Sequence, residues 1–492
     1  MSGDLDQTQA PFLDALRDYH ARDRYGFSPP GHRQGRGVDA DTLAVLGKDP
    51  FRADVLASGG LDDRRSSNGY LTTAESLMAE AVGADTVFFS TCGSSLSVKA
   101  AMLAVAGVEG GILVSRDAHK SVTAGLVFSG LQPYWVEPRL DRDQGISHPP
   151  SPADYAAVWD EHPDAAAALV VSPTPYGTCA DIAGIAAVCH ERGKPLIVDE
   201  AWGAHLPFSE QLPSWAMDAG ADVCVTSVHK MGLGFEQGSV LHLRGDLVDH
   251  DHLWACADML MTTSPNVLVY AGMDGWRRHM MRDGAGLIAQ TIALAEQTRQ
   301  RIEAIDGIHV LHDELLGAEA SHQLDPMRML LDVEALGITG YQAHDWVREH
   351  HRLDLGLSDH RHLGIDVSLA DDDFTTDRLV HALRSLAVAA PDLPQTPPVR
   401  IPEPSGLLLE SVMTPRDAFF GAVELVPADQ AAGRIAAEQA TPYPPGIPAY
   451  VPGERLTAEV IDYLRSGLDA GMVMPDPTDG SLGVIRVVQE TS

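Results

Sequence analysis

Apolar residues along this chain collect into short unbroken runs at 85–90, 111–115, 167–172, 196–198, 223–225 and 239–243. Runs of that length, rich in Val, Ile, Leu and Phe, predict strands buried on both faces of a sheet. The stretches at 10–22, 73–82, 96–105 and 182–192 repeat their apolar positions every three to four residues, which predicts helices. Strands and helices in alternation give an α/β class with a mostly parallel sheet, whose chemistry gathers at the C-terminal ends of the strands.

An amphipathic connector helix is expected at 287–300, and after it the layout changes. Strands at 307–311, 327–332 and 362–368 alternate with helices at 340–350 and 375–388, a second and smaller α/β unit. Six prolines in the fourteen residues from Pro391 to Pro404 make a stiff linker. The expected organisation is therefore an N-terminal arm over 1–60, a major domain over 61–300, a small domain over 301–392 and a C-terminal domain over 405–492.

Charge narrows the partners. With 35 basic and 69 acidic side chains the net charge is −34, which argues against nucleic acid and anionic membranes. It suits a cationic small substrate, although acidic residues also solubilise a surface without any ligand. No run of about 18 apolar residues occurs, and the first residues lack a basic and apolar leader pattern, so a cytoplasmic protein is expected. Cys92, Cys179, Cys189, Cys224 and Cys256 are odd in number and widely spaced, which indicates neither a disulfide framework nor a metal site.

The candidate chemistry lies where strands end. Asp222-Val-Cys-Val-Thr-Ser-Val-His-Lys-Met231 sets Ser227, His229 and Lys230 just beyond an apolar strand. A lysine there is either a solvated residue flanking the strand or one that links to pyridoxal phosphate (PLP), with the hydroxyl and imidazole left for the phosphate. About thirty residues upstream, Lys194-Pro-Leu-Ile-Val-Asp-Glu-Ala-Trp-Gly-Ala-His205 runs a strand into Asp199. That carboxylate either caps a helix or meets a pyridine nitrogen and favours its protonated form. Strand 85–90 leads through Thr91-Cys-Gly-Ser-Ser95 into a helix, an arrangement that serves for plain serine capping or for holding a phosphate at a helix N-terminus. His119 follows another strand, where its flat ring could stack on a flat cofactor.

Taken together, Pro30-Gly-His32, Cys92-Gly-Ser-Ser95, Arg116-Asp-Ala-His-Lys-Ser121, Val198-Asp-Glu-Ala-Trp-Gly-Ala-His205, Ser227-Val-His-Lys230, Thr262-Thr-Ser-Pro265 and Tyr443-Pro-Pro-Gly-Ile-Pro448 occur in an order that resembles the Orn/Lys/Arg decarboxylase family. The resemblance covers almost the whole chain and implies the PLP-dependent transferase fold type I, with a mostly parallel seven-stranded sheet. The form implied is the short one without an N-terminal wing domain. Lys230 is implied as the lysine that carries PLP, Asp199 as partner of the pyridine nitrogen and His119 as the stacking ring. Gly93, Ser94, Ser95, Trp202, Ser227 and His229 are implied around the cofactor. Thr263 and Ser264 are implied near a neighbouring subunit's cofactor, in a homodimer or larger even assembly, and His205 and Glu236 are candidates for contacts to substrate or to that neighbour. The chain departs from the family where Cys92 opens the phosphate turn and where Phe235-Glu236-Gln237 follows the lysine.

The implied reaction is decarboxylation of arginine, lysine or ornithine, with Lys230 or His229 returning a proton to the α-carbon. Glu236, Asp354, Asp359 and Asp366 are unranked candidates for the carboxylate that meets the substrate's cationic end. Another fold type I activity would use the same lysine and aspartate; an aminotransferase would clamp the α-carboxylate with an arginine, for which Arg400 and Arg434 are candidates. A non-catalytic protein of the same fold is the remaining alternative, and intact Lys230 and Asp199 argue against it.

Overall fold

Apolar runs too short for helices and too continuous for half-exposed strands form the centre of the fold. The computed structural model describes residues 5–59, 61–62, 68–107, 110–402, 406 and 408–490; Pro404 of the proline-rich linker lies outside them. Seven strands make one sheet: β1 (Thr86–Ser90), β2 (Gly111–Ser115), β3 (Gln132–Val136), β4 (Ala167–Val171), β5 (Leu196–Asp199), β6 (Val223–Ser227) and β7 (Ser239–Leu243), in the order β1-β7-β6-β5-β4-β2-β3. All residues of β2, β4, β5, β6 and β7 are buried, as strands covered on both faces must be. β2 runs parallel to β3 and β4, whereas β7 is antiparallel to both β1 and β6.

The chain divides into two compact units. The first comprises 1–104 and 199–289. In it, helix Pro11–Ala21 is tied down by Asp274, which accepts the Phe12 N–H at 2.8 Å, while fully buried Arg277 bonds Asp274 at 3.0 Å and donates to the Gln7 carbonyl at 2.8 Å. The long helix that carries Asp274 and Arg277 runs Val267–Glu303, well beyond the expected 287–300.

The second unit comprises 105–198 and 290–492. Strands His309–Leu311, Arg328–Asp332 and His362–Asp366 form an antiparallel sheet with helices Gly340–His351 and Asp373–Ala389 around a core that includes Val310, Leu331, Leu363 and Leu383. A separate core around Tyr450, Val460, Leu464 and Ile485 lies toward the C-terminus, with helix Ala458–Asp469 and the strand pair Val423–Pro427 and Val484–Val488. Among the described residues, no helix is long and apolar enough to cross a membrane.

Candidate active site

In the first unit, β5 and β6 end close to one another in the chain's interior and deliver two charged groups. Asp199 is 3% exposed and accepts the Ala201 N–H at 3.2 Å. Burial pushes its carboxyl above the usual range, opposed by the positive charge of Lys230. Lys230 is half-buried, and its ammonium lies 4.2 Å from the centroid of the Trp202 ring, a cation–π distance. Strand-end placement thus brings Asp199, Trp202 and Lys230 together.

The turn Thr91–Ser95 meets the loop that follows Lys230. Gly93, at φ +76°, takes the left-handed conformation that opens helix α1 (Ser94–Ala104), and its N–H donates to the carbonyl of Gln237, in the loop that follows Lys230, at 2.9 Å. The helix is pinned further by Ser97 Oγ, 3.2 Å from Ser239 Oγ. Ser94 and Ser95 are half-buried at its first turn. Two hydroxyls nearby in this unit, Ser227 Oγ and Thr91 Oγ1, are buried without a hydrogen-bond partner, the condition expected of groups that serve a ligand. Sequence reasoning missed Thr91, although it opens the same turn as Ser94 and Ser95.

His229 is half-buried, and its Nδ1 donates to the Gly238 carbonyl at 3.1 Å. Its Nε2 is 3.9 Å from Glu236, whose side chain is 92% exposed. Thr263 and Ser264 are exposed, whereas His205 is fully buried. His119 belongs to the second unit and caps helix α2 (Lys120–Ser129), with Nδ1 accepting the Ser121 N–H at 3.2 Å.

The other candidate charges are engaged elsewhere. Asp354 pairs with Arg348 at 2.9 Å, Asp359 with His362 at 3.0 Å and Asp366 with Arg328 at 2.8 Å. Arg400 is paired to Asp462 at 2.5 Å, and Arg434 to Glu424 at 2.5 Å and Glu490 at 3.1 Å, so each already serves a carboxylate of the C-terminal domain.

Glu200 was also missed, and its signal was its position one residue beyond Asp199 at a strand end. It has no exposure, and its carboxyl accepts the Cys224 thiol at 3.2 Å and the Ala216 N–H at 3.3 Å. Burial pushes this carboxyl well above the usual range, and the neighbouring Asp199 adds to the rise. Because the folded value is raised, its stabilising contribution is complete in acid and is lost as pH rises from the unfolded carboxyl value of about 4.3 toward the folded one. Glu200→Gln, neutral at every pH, should therefore gain stability relative to wild type between pH 5 and pH 8, by up to about 1.4 kcal/mol per pH unit. Urea melts at the two pH values check this; an unchanged difference would mean that the acid is ionised in the fold.

Comparison with known proteins adds what geometry alone leaves open. The family described as Orn/Lys/Arg decarboxylase, major domain, matches residues 10–350, and its C-terminal domain matches 404–479. The chain belongs to the Orn/Lys/Arg decarboxylase family. It is a PLP-dependent decarboxylase of basic amino acids. The decarboxylase is 37% identical to an arginine decarboxylase of Bacillus subtilis, over 99% of each chain, and 38% identical to one of Halalkalibacterium halodurans, over 98% of each. Its fold superposes on lysine decarboxylase A from Pseudomonas aeruginosa with a TM-score of 0.82 at 22% identity, covering 98% of this chain and 81% of that one. PLP fits the residues of the first unit: an anion suits the partnerless hydroxyls of Thr91, just before α1, and Ser227, at the end of β6, and a cationic ring nitrogen suits buried Asp199.

Proposed function

We propose that the substrate is arginine, converted with uptake of one proton to agmatine and CO₂. The observation that carries the chemistry is the placement in one unit of buried Asp199 and Lys230 beyond adjacent strands, close enough for the Lys230 charge to act on the carboxyl; the substrate rests on full-length similarity to arginine decarboxylases.

PLP, when bound, supplies a protonated ring that takes up the electron pair left behind by CO₂. Lys230 would hold the cofactor covalently. Asp199 keeps a proton on the ring nitrogen, since a carboxylate beside it favours the cationic form. Thr91, Ser94, Ser95 and Ser227, with the N–H groups of Gly93 and the first turn of α1, hold the phosphate. His119 would stack on the ring. Lys230 or His229 delivers the proton to the α-carbon; His229, with Nδ1 committed to Gly238, has Nε2 for that task. We further propose an even-numbered homo-oligomer in the cytoplasm, with the N-terminal arm, whose Phe27 and Val45 are 90% and 83% exposed, reaching the neighbouring subunit.

Incubation with PLP and each of arginine, lysine and ornithine, followed by mass spectrometry, tests the reading. Agmatine with CO₂ should form from arginine faster than cadaverine or putrescine forms from the other two. A 2-oxo acid without CO₂ would replace decarboxylation by amino transfer.

A further inference from the structure

The segment that follows β2 is gripped by the C-terminal domain. Arg116 donates to the carbonyls of Pro448 at 2.8 Å and Ala449 at 3.1 Å, and pairs with buried Glu454 at 3.1 Å. The Lys120 N–H donates to the Gly446 carbonyl at 3.0 Å, and the Lys120 ammonium pairs with Asp476 at 2.6 Å while lying 5.5 Å from the Tyr443 ring centroid. His119 sits between these two anchors. Gly446 has φ +92°, and a Cβ built there would lie 3.0 Å from His119 Cδ2, 3.3 Å from its Nε2 and 3.0 Å from Tyr443 Cε2. Ordinary side-chain contacts are wider than this, so any residue but glycine would push against the imidazole as well as strain the turn.

We propose that the 443–446 loop is a positioning element for His119. The bare backbone of Gly446 lies beside the Cδ2–Nε2 edge of the ring, while Ser121 holds the Nδ1 edge, so the C-terminal domain bounds the imidazole on the edge opposite Ser121. The inference rests on the cofactor-facing role proposed above for His119. It gives the C-terminal domain, which supplies none of the residues assigned to hold PLP, an influence on the reaction through one histidine.

Holoenzymes of wild type, Gly446→Ala, His119→Ala and the double variant separate the possibilities, read by the dissociation constant for PLP and by the visible circular dichroism of the bound cofactor. Gly446→Ala should weaken PLP about tenfold and alter the dichroic band, and the double variant should be no worse than His119→Ala alone, because contacting groups couple on that scale. Independent, multiplying effects in the double variant would overturn the positioning role. Unchanged readouts in His119→Ala would instead remove the cofactor-facing role of the histidine, and the positioning role with it. Lys120→Met, which deletes the ion pair to Asp476 without straining the turn, decides the matter if the melting curve shows Gly446→Ala to be misfolded. It should shift the dichroic band in the wild-type background and leave it unmoved in His119→Ala; any other pattern overturns the proposal.

Discussion

Lys230→Ala is expected to lower the turnover of arginine by at least about 10⁴-fold, because one substitution removes both the covalent hold on the cofactor proposed for this lysine and a candidate proton donor. The loss has a second component. The Lys230 charge, more than the hydrogen bond from the Ala201 N–H, opposes the rise of Asp199, so alanine at 230 also biases that carboxyl toward its neutral form. Lys230→Arg separates the two: it retains the charge beside Asp199, cannot make the covalent link, and should be nearly as inactive as alanine. In the wild type, borohydride reduction followed by peptide mapping should place the pyridoxyl group on the peptide that contains Lys230. Its recovery on another lysine would sink the assignment.

Asp199→Asn should reduce turnover by about 10²–10⁴-fold while leaving much of the PLP affinity in place. Asparagine preserves the oxygen that accepts the Ala201 N–H at 3.2 Å, so the local turn survives, and only the charge is lost. A neutral amide cannot favour the protonated ring, and the electron pair from CO₂ loss then has no low-energy place to go. Single-turnover kinetics with saturating PLP check this step apart from binding. Wild-type rates would mean that another group protonates the ring nitrogen.

How much of this was legible in the sequence follows from what each residue's environment requires. β1, β2 and β4–β7 were predicted within a few residues because each is an uninterrupted apolar run. β3 was missed: Gln132 and Pro133 break its run, and only two of its five residues are buried. The first half of helix Val267–Glu303 escaped notice because its interior face carries the Asp274–Arg277 pair and Gly272, which dilute the helical period. Lys230 and Asp199 were visible because a strand end is a local feature. Thr91 and Glu200 required knowing which polar atoms are buried, and Gly446 required knowing that a residue more than three hundred positions away would touch His119. Long-range contact leaves no periodicity to read.

The antiparallel edge of the sheet has a consequence for the order in which the molecule can assemble. β1 pairs with β7, Ser90 lying opposite Ser239, so its partner is synthesised roughly 150 residues after it. At about 5–20 residues per second, the ribosome leaves this Val-Phe-Phe strand without its ladder for about 8–30 s. During that interval the nascent chain exposes an unsatisfied, apolar strand edge of the kind that recruits other chains. Yield of the folded protein should therefore depend on translation speed and on chaperones that shield residues 86–90, and slow codons placed before 239 would lengthen the exposure.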